Sequence, residues 1–287
     1  MPFFSNAHTH TTYCDGKTPI QEMIAQAEAL GFVSLGFSGH AVQGFDLDYS
    51  MSSDRQKAYF QELRTIQAER LPSQPKIWAG LELDALADES CRREAYQQAD
   101  YIIGSVHYLP WEGEASPVAI DGPAERLGRY VDTVLDGDGL ELARGYYEMV
   151  TQSLLRDRPA IIGHFDLVRK HAAALKLFDE ADPRYRRIAL SALEQVFPCG
   201  AVLEVNTGGM ARGYLSTPYP TLELLGAWRE MGGKITLTSD CHDGRYLSYA
   251  FDQALSLIHQ ASFRSLMQLG QGEDLWEETE IVANSLM

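Results

Sequence analysis

The sequence has no apolar run long enough to cross a membrane. No stretch of its 287 residues approaches the ~20 consecutive apolar residues that a membrane-spanning helix requires. The N-terminus also lacks a basic region followed by an apolar core, so it does not resemble a secretory signal. We therefore expect no membrane partner and a cytoplasmic protein.

Cysteine and positive charge are both scarce. The four cysteines show no CxxC spacing and are too few for a disulfide framework, which fits a reducing compartment. Lys and Arg number 24 against 40 Asp and Glu, and the formal net charge is −16. Because surfaces that bind nucleic acid non-specifically are usually basic, we expect no nucleic-acid partner. The sequence does not indicate an oligomeric state.

Internal repeats, low-complexity tracts and Pro/Ser-rich linkers are absent as well. A chain of 287 residues that is 45% hydrophobic has the usual size and composition of one α/β barrel. We interpret residues 1–287 as a single barrel domain. Residues 109–157 interrupt the strand–helix alternation, and we interpret them as an elaborated loop and helical insertion that covers one side of the site.

What the chain does contain is a series of short apolar runs, separated by segments with helical spacing of apolar residues. The runs cover residues 3–7, 32–37, 77–81, 101–106, 160–163, 201–205 and 234–238. Strands that alternate with helices favour a parallel sheet, and about seven β/α units predict a barrel. Active sites of such barrels lie at the C-terminal ends of the strands.

Histidines and acidic residues collect at those strand ends. The set is His8, His10, Asp15, His40, Glu82, His107, His164, Asp240 and His242. Zinc usually takes four ligands and octahedral metals take six, so nine groups predict two to three divalent ions. Because mixed imidazole and carboxylate sites accept several metals, Zn, Fe and Mn all remain open.

The pattern begins with the HxH pair near the N-terminus. His8 and His10 are two residues apart and project from the same face if the preceding run is a strand. A turn through Cys14 and Gly16 would return Asp15 toward them. Taken alone the two histidines could be an ordinary surface pair, but the later strand ends favour a metal centre.

Neighbouring metal ions suit the hydrolysis of phosphate esters. Ions about 3.5–4 Å apart generate hydroxide near neutral pH, neutralise phosphate oxygens and stabilise the leaving alkoxide. Glu82 is a candidate bridging carboxylate. Arg169 and Arg212 follow strand ends and are candidates to bind phosphate, because a guanidinium matches two phosphate oxygens. A surface ion pair is the alternative role for each arginine.

The order HxH, D, H, E, H, H, DxH resembles the polymerase and histidinol phosphatase (PHP) superfamily over nearly the whole chain. Four segments resemble the histidinol-phosphatase branch of this superfamily more narrowly. They are Gly104-Ser105-Val106-His107, Ile120-Asp121, Gly163-His164-Phe165-Asp166-Leu167-Val168-Arg169-Lys170 and Glu204-Val205-Asn206-Thr207. The resemblance implies a distorted (β/α)7 TIM-like barrel with a trinuclear site. One departure is Asn6-Ala7 before the HxH pair, where relatives often carry an acidic residue.

The resemblance also implies how the ligands divide among the metals. His8, His10, Glu82 and Asp240 would hold one ion, Glu82, His107 and His164 a second, and Asp15, His40 and His242 the third. The candidate catalytic residues are Glu82, Asp240 and His242, and a metal-bound water, Asp240 or His242 could protonate the leaving alkoxide. The implied substrate-binding residues are Arg169, Arg212, Asn206 and Ser105.

Our leading hypothesis is hydrolysis of L-histidinol phosphate to L-histidinol and phosphate, a step of histidine biosynthesis. One alternative keeps the site but changes the substrate to another small phosphomonoester or a nucleotide. An amidohydrolase would normally need a strand-end lysine, which the sequence does not provide. A metal-dependent binding or sensor protein without turnover is the alternative from a different class.

Overall fold

The computed structural model describes residues 5–281. Its strands are β1 (Ser5–Asn6), β2 (Ser34–Phe37), β3 (Lys76–Asp84), β4 (Tyr101–Ser105), β5 (Tyr108–Leu109), β6 (Val118–Ala119), β7 (Ile161–Ile162), β8 (Val202–Asn206), β9 (Ile235–Thr238), β10 (Ser265–Leu269) and β11 (Trp276–Glu280). Its α-helices are α1 (Ile20–Ala29), α2 (Ser53–Glu69), α3 (Glu89–Gln98), α4 (Ala124–Val134), α5 (Gly139–Asp157), α6 (Ala172–Leu175), α7 (Pro183–Val196), α8 (Gly208–Ala211), α9 (Leu222–Glu230) and α10 (Phe251–Gln260). Short 3-10 helices cover Leu167–His171, Phe197–Cys199 and Gly244–Tyr246.

Seven strands form one parallel sheet in the order β1-β2-β3-β4-β7-β8-β9. The two edges of the sheet meet just beyond the strand ends, where a parallel bridge joins Thr9 to Cys241. The backbone N–H of His10 donates to the Cys241 carbonyl at 2.8 Å. The sheet is therefore a nearly closed barrel, and the predicted TIM-like fold with seven strands is confirmed.

The helices pack their apolar faces on the outside of the barrel. Helix α2 illustrates the pattern, because Tyr59, Phe60, Leu63 and Ile66 recur at helical spacing and are all buried. Ser52 caps this helix by accepting a hydrogen bond from the backbone N–H of Arg55.

The N-terminal end of the barrel is closed by the C-terminal segment. The sequence predicts one or two covering helices over residues 250–269, but only α10 forms and an antiparallel hairpin of β10 and β11 follows it. The Ser34 hydroxyl donates to the Leu269 carbonyl at 2.6 Å, and the Trp78 indole N–H donates to the Gly270 carbonyl at 2.9 Å. The hairpin therefore closes the end of the barrel opposite the strand ends that carry the histidines.

The segment over residues 109–157 contains a small β5–β6 hairpin and the two helices α4 and α5. The backbone N–H of Ile120 donates to the His107 carbonyl at 2.7 Å, so the hairpin is joined to the end of β4. This connection places Asp121 at the mouth of the barrel. Among residues 5–281, no helix is both long and apolar enough to span a membrane.

Candidate metal centre

The nine predicted ligands converge at the C-terminal end of the barrel. Their side chains are mostly buried and lie within ion-pair distance of one another across the floor of one cavity. They come from segments after β1, β2, β4, β7 and β9 and from within β3. Parallel strands present their carboxyl ends at one edge, which explains how residues 234 positions apart become neighbours.

The first group surrounds one carboxylate oxygen of Glu82 and one of Asp240. The Nε2 atom of His8 lies 3.1 Å from Glu82 Oε2 and 3.6 Å from Asp240 Oδ1. The Nε2 atom of His10 lies 3.4 Å and 3.3 Å from the same two oxygens. These four residues match the first predicted ligand set.

The second group surrounds the other carboxylate oxygen of Glu82. The Nε2 atoms of His107 and His164 lie 3.1 Å apart, and they are 3.3 Å and 3.0 Å from Glu82 Oε1. Since Oε2 faces the first group and Oε1 faces the second, Glu82 is placed to bridge two ions.

The third group lies nearer to solvent around Asp15. The Nε2 atom of His242 is 3.1 Å from Asp15 Oδ2, and the Nε2 atom of His40 is 3.6 Å from Asp15 Oδ1. The Nδ1 atom of His40 also lies 3.0 Å from Glu82 Oε2, and His10 stacks on His242 with ring centroids 4.0 Å apart. His40 therefore lies between the third group and the bridging carboxylate.

These spacings fit coordination polyhedra. Ligand atoms about 2.0–2.1 Å from a shared ion are about 2.8–3.4 Å from one another at adjacent octahedral or tetrahedral positions. In the first and third groups, buried polar atoms that face the shared positions have no hydrogen-bond partner among the described residues. They include His8 Nε2, His10 Nε2, His40 Nε2, Glu82 Oε2 and Asp15 Oδ1. Buried polar groups are normally satisfied, so unpaired atoms that converge on shared points are the arrangement expected of metal ligands.

Electrostatics keeps the bridging carboxylates ionised. Burial disfavours charge on Glu82, but the nearby imidazoles of His8 and His107 outweigh it and hold the pKa of Glu82 well below its usual value. Burial also disfavours charge on Asp240, but the guanidinium of Arg212 outweighs this effect and holds the pKa of Asp240 well below its usual value. Both carboxylates are thus in the charged form that coordinates a metal.

His10 and Asp15 are also held in their coordinating forms. Burial together with the charges of His242 and His40 lowers the pKa of His10 to about 3, which keeps its imidazole neutral. Burial opposes ionisation of Asp15, but the charges of His40 and His242 prevail and its pKa is strongly lowered.

A cavity of ≈ 490 Å³ opens above these ligands. Arg212 lies at its wall, with Nη2 2.8 Å from Asp240 Oδ2 and Nη1 3.2 Å from His242 Nδ1. Lys17, Lys170 and Arg245 also line the cavity. Cationic side chains beside a cluster of metal ligands favour a phosphorylated ligand.

Comparison with known proteins agrees with this geometry. The family model of the PHP domain matches residues 6–208, more than half of the chain. The chain belongs to the PHP domain family. Two curated relatives are each named probable histidinol-phosphatase. One, from Deinococcus radiodurans, is 29% identical over 93% of this chain and 96% of its own length. The other, from Schizosaccharomyces pombe, is 24% identical over 96% of this chain and 91% of its own length.

Two solved structures share the fold of this PHP domain. A protein assigned as the histidinol phosphatase HisK of Listeria monocytogenes superposes with a TM-score of 0.73 at 24% identity, over 86% of this chain and 98% of its own. Histidinol phosphate phosphatase (HisK) from Lactococcus lactis, complexed with Zn, L-histidinol and phosphate, superposes with a TM-score of 0.59 at 22% identity, over 93% of this chain and 96% of its own.

Glu204 lies directly behind the metal-ligand candidates of the PHP domain, although the sequence alone assigns it no role in the site. Its Oε2 lies 2.8 Å from His8 Nδ1 and accepts the Thr238 hydroxyl at 2.8 Å, while Oε1 accepts the backbone N–H of His164 and the Asn206 amide. The contact to His8 Nδ1 orients the opposite nitrogen, Nε2, toward the first group of ligands. Glu204 was missed because it lies inside the apolar run of β8 and not at its end.

Ser105 and Asn206 lie at the centre but face other protein groups in the structure. The Ser105 hydroxyl donates to Glu82 Oε1 at 2.6 Å. The Asn206 amide donates to Glu204, and its oxygen accepts the backbone N–H of Gly208 at 2.7 Å. Both side chains therefore hold the carboxylates that orient the metal ligands, and neither lines the cavity.

The two arginines predicted to bind phosphate are placed differently. Arg212 lines the cavity, whereas Arg169 does not. Arg169 is buried, with Nη1 3.1 Å from Asp166 Oδ2 and Nε 2.7 Å from Glu180 Oε2. Burial disfavours its charge, but the charges of Asp166 and Glu180 outweigh burial and raise the pKa of Arg169. Its position differs from the expected substrate contact because Asp166, three residues earlier, supplies a buried partner.

Asn6, the local departure from the family pattern, joins the two edges of the barrel. Its Oδ1 accepts the backbone N–H of His8 at 3.0 Å, and its Nδ2 donates to the Ser239 hydroxyl at 2.6 Å. An amide supplies both an acceptor and a donor here, which a carboxylate would not. The side chain thus aligns the HxH pair with the segment that carries Asp240.

Proposed function

We propose that this protein is a histidinol-phosphate phosphatase that hydrolyses L-histidinol phosphate to L-histidinol and phosphate. The observation that carries the proposal is the convergence of nine metal-ligand candidates beneath a cavity whose wall carries cationic side chains. The proposal for the substrate is supported by two relatives named as probable histidinol-phosphatases, which match over more than nine-tenths of this chain.

We further propose that the site holds two to three divalent ions of Zn, Fe or Mn. The three ligand groups are His8, His10, Glu82 and Asp240; then Glu82, His107 and His164; then Asp15, His40 and His242. When bound, such ions lower the pKa of water and neutralise the charge of phosphate oxygens. The Zn in the Lactococcus lactis protein supports this assignment.

The protein's own side chains would bind and orient the phosphate. Arg212 is partly exposed and fixed by Asp240, so its remaining N–H groups are directed by an ion pair that is already formed. Glu82 holds the two inner groups at a set separation, because each of its oxygens belongs to one of them. Asp240 and His242 lie beside Arg212 and are the candidate catalytic groups. His242 is the better candidate to hold a proton for the leaving alkoxide, because burial is outweighed by Asp15, which raises the pKa of this imidazole, whereas Asp240 is ionised.

The proposed reaction would belong to histidine biosynthesis, and we propose that it takes place in the cytoplasm. Four free cysteines, with no disulfide among the described residues, support a reducing compartment.

The proposal is tested by measuring phosphate release from a panel of phosphomonoesters with Zn, Mn or Fe supplied. L-Histidinol phosphate should have the highest kcat/KM of the panel. His107→Ala should lose activity by a factor of 100 or more, on the order expected for loss of a metal ligand, and should remain folded. His259→Ala removes an exposed histidine on α10 and should behave as the unaltered protein.

If a nucleotide or another small phosphomonoester had the highest kcat/KM, the proposed substrate would be replaced, while the proposed metal site would stand. Absence of phosphate release from every compound, with metal bound, would instead favour a binding protein without turnover. Full activity of His107→Ala would contradict the metal assignment itself.

A further inference from the structure

The cavity above the metal ligands has two sides of opposite character. Arg212 and Lys17 line the cavity from segments after β8 and β1. Asp46, Tyr49 and Tyr108 line the cavity from segments after β2 and β4. The cavity wall is therefore basic around Arg212 and Lys17, and aromatic and acidic around Asp46, Tyr49 and Tyr108.

The aromatic wall is continuous with the metal ligands. The ring of Tyr49 stacks on His40 with centroids 3.7 Å apart and an interplanar angle of 28°. Tyr49 meets Tyr108 edge-on at 5.9 Å, and Phe45 packs against Tyr108 at 4.9 Å. The hydroxyl of Tyr49 is buried and has no hydrogen-bond partner among residues 5–281. A polar atom left unpaired in the cavity wall is available to a ligand.

Asp46 contributes a negative charge that the protein does not neutralise. Its Oδ2 accepts the Tyr108 hydroxyl at 2.7 Å, and this neutral phenol is its side-chain partner. No ion pair within the described part of the chain includes Asp46. Asp121, the other carboxylate on this side of the cavity, has Lys170 Nζ 3.5 Å away.

The loop holds Asp46 in one orientation. Its φ of +51° lies in the left-handed region, and its carbonyl accepts the backbone N–H groups of Tyr49 and Ser50 at 3.2 Å. The Ser50 hydroxyl donates to the same carbonyl at 3.3 Å. The loop therefore fixes the backbone of Asp46, and the Tyr108 hydroxyl orients its carboxylate before any ligand arrives, which lowers the entropic cost of binding.

We propose that Asp46, Tyr49 and Tyr108 form a subsite that binds a cationic amine or imidazole group of the substrate. This inference rests on the proposed phosphatase function and names the residues that select among phosphomonoesters. A carboxylate attracts the cation directly, and the faces of aromatic rings add a cation–π attraction. The phosphate would bind at the metal ligands and Arg212, so a substrate with an anionic and a cationic end spans the cavity.

The test compares the unaltered protein with Asp46→Asn and with Asp48→Asn, all loaded with the same metal. Asparagine keeps an oxygen for the Tyr108 hydroxyl and removes only the charge. Asp48 is an exposed acidic residue of the same loop that does not line the cavity, so its variant is the matched control. The substrates are L-histidinol phosphate and p-nitrophenyl phosphate, whose organic group is uncharged.

Asp46→Asn should raise KM and lower kcat/KM for L-histidinol phosphate about tenfold, the effect expected when a charged contact is lost. Its kcat/KM for p-nitrophenyl phosphate should stay within about twofold of that of the unaltered protein. The kcat/KM of Asp48→Asn should stay within the same range for both substrates. The product L-histidinol should inhibit the variant less strongly, while inhibition by inorganic phosphate stays unchanged. Equal losses on both substrates, or no loss on either, would overturn the subsite.

Failure of the proposed function gives a different result. In that case the unaltered protein would not hydrolyse L-histidinol phosphate. The ratio of kcat/KM values is then measured for phosphoethanolamine, whose organic group is cationic, and glycerol phosphate, whose organic group is uncharged. A charge preference that disappears in Asp46→Asn supports the subsite, and an unchanged ratio rejects it.

Discussion

Glu82 and Glu204 are both buried carboxylates at the C-terminal end of the barrel, yet only one is in contact with the cavity. Glu82 lines the cavity and faces five histidines, while Glu204 lies behind His8 and accepts hydrogen bonds from four directions. Glu82 could be predicted from the sequence because it follows an apolar run directly. Glu204 lies inside such a run, where its role becomes visible only when His8 is placed next to it.

Glu204→Gln should weaken metal binding. Loss of the carboxylate charge behind His8 removes the contact that fixes the imidazole and strengthens it as a ligand, and such changes typically cost about 10–100-fold in metal affinity or activity. Elemental analysis after dialysis against a weak chelator measures the effect. Glu194→Gln alters an exposed glutamate on α7 and provides the control. A variant that keeps its full metal content and turnover would show that Glu204 has no influence on the centre.

Metal uptake by the metal-free protein should release protons. Burial disfavours protonation of His8 and His107, but nearby carboxylates, with Glu204 and Glu82 foremost, raise the pKa of both histidines well above the usual value. Both are therefore protonated at pH 7 without metal, and an ion must displace those protons to bind. Apparent affinity should consequently rise with pH.

Calorimetric titration of Zn into the metal-free protein measures this release, in buffers with different ionisation enthalpies. The slope of the observed enthalpy against buffer enthalpy gives the number of protons released. A slope of zero between pH 6.5 and 7.5 would mean that these histidines are neutral before the metal arrives.

Among the elements, the strand ends were the most predictable part of the structure. Runs of apolar residues located the seven barrel strands, since buried parallel strands are apolar on both faces. The β10–β11 hairpin was not anticipated, because Ser265–Leu269 has the length and composition of a helix end. The hairpin is held against the barrel by hydrogen bonds from Ser34 and Trp78, which lie far away in sequence. Phe3 and Phe4, the first residues predicted in β1, lie outside the described residues.

The 3-10 helix Leu167–His171 illustrates what sequence order leaves open. It begins shortly after His164, a position that suggests a role at the cavity for each cation it carries. The helix directs Arg169 into the protein, where it meets Asp166 and Glu180, and leaves Lys170 at the cavity. Motif position alone did not distinguish the two neighbouring side chains.

Arg169→Gln and Arg212→Gln should therefore have different effects. Arg169→Gln leaves Asp166 buried without its charged partner and should lower the free energy of unfolding by about 3 kcal/mol. Arg212→Gln should keep its Tm in the metal-loaded protein, where bound ions would offset the charge of Asp240, and should raise KM for phosphate substrates because its guanidinium lies at the cavity. Thermal unfolding and steady-state kinetics of both variants separate these effects. A stable Arg169→Gln with a raised KM would return Arg169 to the substrate-binding role suggested by its motif.

At the scale of the whole molecule, the barrel separates stability from chemistry. The hairpin closes one end of the barrel and the helices pack around its outside. The opposite end carries a cluster of acidic and imidazole side chains, several of which have polar atoms without a hydrogen-bond partner among the described residues. A chain with a net charge of −16 concentrates several of its carboxylates around one small volume. Divalent ions offset that charge, so the folded protein and its metals are expected to be linked thermodynamically.

The most direct test adds Zn or Mn stepwise to metal-free protein and follows phosphate release from L-histidinol phosphate. The three ligand groups predict that the rate rises from near zero to a plateau at two to three equivalents of metal per chain. A rate that does not depend on added metal, or no phosphate release at any metal concentration, would contradict the account of this site.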